Sequence, residues 1–133
     1  MPSRRLVLVP LILLLAGHPA RAVGCDLSKP ISAEQKCYEG ARKAAEDELA
    51  RLWERVLLEP GKSSHMPRRE REQWKSRLRE SNRTWIAHIE KDCEDVVPFE
   101  WYGGGGADAA TAACRAAKTR TRIDELKQRY GFK

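Results

Sequence analysis

The 133-residue sequence predicts an all-α protein, a small three-helix bundle stapled by two disulfides and preceded by a cleaved signal peptide. Three observations carry this prediction. In three separate segments apolar residues recur at mixed steps of three and four, the spacing of one helix face, and no stretch longer than three residues alternates convincingly between apolar and polar. Cys25, Cys37, Cys93 and Cys114 make an even cysteine count, which in a small exported chain reads as two disulfides. The N-terminus has the charge, the apolar run and the small-residue site of a secretory leader.

In that leader Arg4 and Arg5 precede Leu6 to Gly17, an apolar run broken only by Pro10, and Ala20-Arg21-Ala22 follows. The run is short of the roughly 20 residues a spanning helix needs. The expected organisation is therefore a signal peptide at 1–22 and one domain at 23–133, periplasmic or secreted. Losing Arg4, Arg5 and Arg21 leaves 22 basic against 19 acidic residues, a net of +3 where the whole chain has +6. So mixed a charge requires no polyanionic partner. We expect no nucleic acid and no membrane span in the mature chain. Ala22-Val23-Gly24-Cys25 is faintly like a lipobox, but polar His18 to Arg21 separate it from the apolar run. A lipid on Cys25 would also leave three thiols, so no lipid anchor is expected.

The first helix is expected over 32–58. Ser32 and Gln35 have capping-box spacing, Tyr38, Ala41, Ala45, Leu49, Leu52 and Val56 form the apolar face, and Glu59-Pro60-Gly61 is a breaker. Pro67 suits the first turn of a second helix. Its stripe runs through Trp74, Leu78, Ser81, Trp85, Ile89 and Asp92 and should end near Asp95, with Trp74, Leu78 and Trp85 in the core. Phe99-Glu100-Trp101-Tyr102 leads into Gly103 to Gly106, a flexible connector with no Gly-Lys-Ser/Thr of a phosphate loop. Asp108 is placed to cap the third helix. That helix carries Ala109, Ala112, Ala113, Ala116, Ile123 and Leu126 on a small-residue face, and Gly131 should stop it. The first two helices are expected antiparallel, with the third packed across them.

Four cysteines allow three pairings. The nearest-neighbour one, Cys25–Cys37 with Cys93–Cys114, closes loops of 12 and 21 residues, each stabilising by ~3 kcal/mol, and is the one expected. Zinc is disfavoured, because there is no C-x-x-C and no histidine at ligand spacing; no metal or other cofactor is expected. Nor is an enzyme. His65 has no nucleophile nearby, His88 reads as a helix-surface or partly buried histidine, and consecutive Glu46, Asp47 and Glu48 fan around a helix rather than converge. Arg68, Arg69 and Arg71 read as a solvated helix face.

The cysteines and their surroundings also resemble a family. Cys25, Ser32, Glu34 and Cys37 look like the opening of the LprI-type lysozyme inhibitor domain. Leu49 and Trp53 are similar to its L-N-x-x-Y segment, with Ala50 replacing Asn and Trp53 replacing Tyr. The spacing from Trp85 to Cys93 matches, although His88-Ile89-Glu90 stand where the family usually has Tyr-Arg-Asp. Cys114, Thr119, Arg122 and Leu126 fit C-x4-T-x2-R-x3-L without a gap. The resemblance spans about 25–127 and implies a small exported helical protein of the bacterial envelope, in a family whose founding member is a lipoprotein that inhibits lysozyme.

Two readings of function follow. In the first the protein blocks a lysozyme, using Phe99 to Asp108 as a protrusion; Trp101, Tyr102 and Asp108 are the candidate contacts, on a loop that Cys93–Cys114 would fix. In the second it is a non-catalytic structural or adaptor protein that binds another envelope protein or the cell-wall polymer. Arg122 is expected near a core edge. It would either clamp helices through Glu46, Asp47 or Glu48, or be presented to a partner's carboxylates.

Overall fold

A computed structural model describes residues 24–25, 30–102 and 104–133; the expected signal peptide lies outside them. Among these residues the secondary structure is helical throughout, with no strand. Helix α1 spans Ile31–Lys62 and α2 spans Arg68–Glu90. The chain then passes without a break through a wider π-helical stretch, Lys91–Val96, and one further turn, α3 (Val97–Glu100), before α4 (Ala107–Tyr130).

The helix ends differ from expectation in instructive ways. Both long N-terminal helices start directly after a proline, Pro30 and Pro67, without a side-chain cap. Pro30 O accepts the amides of Ala33 and Glu34 at 2.8 and 3.1 Å. Starting at Ile31 puts Ser32 inside the first turn, so no capping box forms and Gln35 Nε2 donates instead to Glu39, at 3.0 Å. At the other end α1 runs through Pro60 to Lys62, four residues past the expected stop. Pro60 forfeits one backbone bond, but its ring is buried, and that apolar burial offsets the loss. For α4 the cap is Gly106 rather than Asp108, which sits in the first turn, where its charge complements the helix dipole. Gly131 ends α4 as expected. Its left-handed φ of 66° lets the Phe132 amide reach Lys127 O at 3.0 Å, the Schellman arrangement that satisfies the last carbonyls.

The principal contact joins the first and last helices. Glu46 meets Arg115, Glu48 meets Arg120 and Lys127, and Arg55 lies over the Phe132 ring. Numbers rise together along both helices, so α1 and α4 run parallel, side by side, and α2 returns the chain between them. The third helix thus lies along the first instead of across the pair. Their seam carries small residues, Ala45 on α1 and Ala112 and Ala116 on α4, and larger ones further along, Leu52, Val56, Ile123 and Leu126, all buried. Most of a helix's stability in a folded protein comes from packing of its apolar face, and this seam supplies it for α1 and α4. Helix α2 buries Ile89 fully and Leu78 partly. Trp74 and Trp85, expected in the core, are only half-buried, as is Trp53; at Trp53 and Trp85 a cleft separates α2 from α1.

Candidate functional site

The π-helical stretch brings three consecutive residues to α4. Asp92 pairs with Lys118 Nζ at 2.7 Å, Glu94 pairs with Arg115 Nη1, and between them Cys93, fully buried, is bonded to Cys114 with a Cα–Cα separation of 5.6 Å. The other bridge is Cys25–Cys37, at 5.9 Å. Both pairings are the nearest-neighbour ones. Asp92 lies beside two sulfurs, but the disulfide consumes them and leaves no thiolate for a metal.

Inside the Cys93–Cys114 loop the chain turns outward. Phe99 is 82% exposed, Trp101 52% and Tyr102 97%. Backbone bonds hold this tip: the Tyr102 amide donates to Phe99 O at 3.0 Å, Gly104 to Trp101 O at 2.9 Å and Ala107 to Gly104 O at 2.9 Å. Tyr102 has a positive φ of 52°, uncommon for a residue with a side chain. The Trp101 ring lies against Gly106, where a Cβ would come within 2.5 Å of it, so any side chain there would displace the ring. Of the residues expected at a binding protrusion, Trp101, Tyr102 and Asp108 are all exposed. Phe99 belongs with them. No periodicity singled it out, because it falls in a helical turn beyond the point where the second helix was expected to end.

Arg122 is buried, but its partners are not the α1 carboxylates. Its guanidinium carbon sits 5.7 Å from the Trp85 ring centroid, Nη1 donates to Glu125 at 3.3 Å, and Nε has no partner. At 100° per residue Arg122 lies roughly 140–160° around α4 from Lys127 and Arg120, so it faces α2 while they reach α1. The interhelical clamp is Arg115, which sequence reasoning missed. Its Nε donates to Glu46 at 3.0 Å and its Nη1 to Glu94, linking α1, the π-helical stretch and α4. Although Glu46 and Glu48 do fan around α1, long side chains carry both to α4, one on each side of the apolar seam.

These pairs move proton affinities. The Glu48 carboxyl is held below its ordinary value by the hydrogen bond from Lys127, with help from Arg120 and against the effect of burial. Asp92 is lowered by the hydrogen bond from Lys118. Burial of Arg115 opposes its charge, but Glu46 and Glu94 outweigh that and raise its proton affinity.

The cleft between α1 and α2 has a volume of about 300 Å³. Trp53 and Leu49 wall it on one side, Trp85 and Ile89 on the other. Arg115 and Thr119 of α4 line it as well, and Glu46 and Asn82 supply polar groups. The Thr119 hydroxyl is buried and has no hydrogen-bond partner.

Compared with known proteins, residues 25–126 match a family model described as lysozyme inhibitor LprI. No curated protein and no solved structure matches.

Proposed function

The chain belongs to the LprI lysozyme inhibitor family, most of its length matching that family's model, and from this we propose that it acts by binding a lysozyme and blocking it. On this reading residues 1–22 are removed on export and 23–133 work in the bacterial envelope or beyond, periplasmic or secreted, as a single LprI-like domain. Two disulfides suit such a compartment, and among the described residues no helix is long and apolar enough to cross a membrane.

The observation that carries the proposal is the exposed aromatic tip. Phe99, Trp101 and Tyr102 stand in solvent on a bridged, hydrogen-bonded loop. Large exposed aromatics are costly to leave in water and are frequent anchors at protein interfaces. A rigid mount matters, because ordering a loose loop on binding would subtract from affinity. In this mechanism the aromatics enter the substrate groove and exclude the saccharide, with Asp108 at the edge of the contact. The charge balance offers a basic lysozyme little long-range steering, so the tip's fit must supply the affinity.

The test is titration of a muramidase with the oxidised protein. Inhibition that saturates at a fixed ratio, and that Trp101→Ala with Tyr102→Ala weakens at least tenfold, is the expected result. Full muramidase activity at a large excess of folded protein would rule out the inhibitor reading and favour the adaptor role.

A further inference from the structure

We propose that the hollow between α2 and α4 binds a small carboxylic acid, with its carboxylate on Arg122. The inference is independent of the aromatic tip and of the inhibitor reading. It starts from an imbalance among the cations of α4. The Arg122 side chain is only 10% exposed, and among the described residues no other lysine or arginine is buried. A buried charge needs close, well-formed partners. The ion pair it has is with Glu125, at 3.3 Å, longer than the 2.7–2.9 Å typical of charge-assisted bonds, and Glu125 is half exposed. More exposed cations on the same helix are better served. Lys118 meets Asp92 at 2.7 Å, Arg120 meets Glu48 at 2.8 Å and Lys127 meets Glu48 at 2.7 Å. The Trp85 ring, 5.7 Å from the guanidinium carbon, offsets part of the burial through its π face but neutralises no charge.

The open donors place the missing anion. Nε is sealed within the protein and out of any ligand's reach, but Nη2, also without a partner, keeps contact with solvent. Arg122 lines the hollow between α2 and α4 and not the cleft between α1 and α2. The hollow has a volume of about 300 Å³, at the small end for ligand sites. The two terminal nitrogens of a guanidinium form a fork that a planar carboxylate meets with two parallel bonds. Here Nη2 is free, and Nη1 would exchange a long bond for a short one. Trp85, Ile89 and Ala117 on the wall suit an apolar body. A doubly charged phosphate fits less well. It would need a second free cation, and Lys118 on the same wall is already neutralised by Asp92.

The experiment follows backbone amide NMR shifts of the oxidised protein titrated separately with benzoate, benzyl alcohol and inorganic phosphate at neutral pH. Benzoate should bind saturably, with shifts centred on residues 85–89 and 117–125. It should bind roughly tenfold or more tightly than either other probe, the worth of a hydrogen bond to a charged group. Glu125→Gln removes the competing carboxylate from a half-exposed position and should tighten benzoate binding about threefold, the strength of an exposed ion pair. Arg122→Lys keeps the charge without the fork and should weaken it roughly tenfold. Equal affinity for benzoate and benzyl alcohol would overturn the assignment, as would phosphate binding as tightly as benzoate, shifts elsewhere, or no saturable binding. The probe comparison needs no variant, so a poorly folding Arg122→Lys cannot rescue the idea.

Discussion

Removing one disulfide at a time should separate two bridges that chain entropy alone makes nearly equal. The bridges span 12 and 21 residues. Loop-closure entropy assigns each about 3 kcal/mol, the longer one ahead by about 0.5 kcal/mol. The native surroundings widen that gap. Cys93 is fully buried, flanked by the Asp92–Lys118 and Glu94–Arg115 pairs, and its replacement adds the loss of a buried side chain, about 1 kcal/mol. Cys37 is exposed on α1, so its replacement leaves no buried gap. The pair Cys93→Ala with Cys114→Ala should therefore cost about 4 kcal/mol, and Cys25→Ala with Cys37→Ala no more than about 3 kcal/mol. Urea unfolding followed by far-ultraviolet circular dichroism measures both, provided the slope with denaturant is unchanged. A larger loss from the Cys25–Cys37 pair would refute the reasoning, as would a loss below about 1 kcal/mol from the other.

Four further outcomes follow. Leu126→Ala, in the tightest part of the seam, should cost about 3 kcal/mol, whereas Trp85→Ala should cost less than the 3–5 kcal/mol typical of a buried tryptophan, about 2 kcal/mol, both read by the same unfolding assay. Arg122→Met should melt early and leave lysozyme binding unchanged; normal melting would show that the buried guanidinium stabilises nothing. Stability should fall as pH drops below about 4.5, the ordinary Glu48 value, because a depressed folded-state pKa gives stability that is full above the unfolded value and lost as pH falls through the folded one. Glu48→Gln should flatten that acid limb in a pH series of melts. Trp101→Ala with Tyr102→Ala should leave unfolding within about 1 kcal/mol of the parent, since exposed side chains hold little of the fold.

Sequence periodicity was enough to find three helices, and nearest-neighbour cysteines were enough to pair the bridges. The apolar face of α4 was legible too: Ala109, Ala112, Ala116, Ile123 and Leu126 are all buried. What periodicity could not convey is distance. It marks Trp85 as part of one face of α2, yet it is silent on how closely α1 approaches that face, and at Trp85 the approach is loose enough to leave a cleft. Pro60 misled for a related reason. A breaker is read from local backbone chemistry, while its tolerance here comes from the burial of its ring. Arg115 was invisible because its partners, Glu46 and Glu94, lie 69 and 21 residues away, and a charge among charges gives no local signal. The exposure of Trp101 and Tyr102 was an open question in sequence. The succession of turns from Phe99 to Ala107 sets which way they face, and no periodicity encodes it.

The parallel pairing of α1 with α4 has a consequence for the order in which the chain can fold. The contacts that fasten the seam span 69 to 79 residues, long-range for a helical protein and slow to close. Tyr130 and Phe132, which finish the packing around Leu52 and Val56, are among the last residues of the sequence. A growing chain therefore carries α1 with its apolar face uncovered until residues 123–132 have been made. Losing even the final ten residues would remove Leu126 along with both closing aromatics. The fold closes all at once, only after the end of α4 is made, and a copy cut short of it would be left as two helices without a centre.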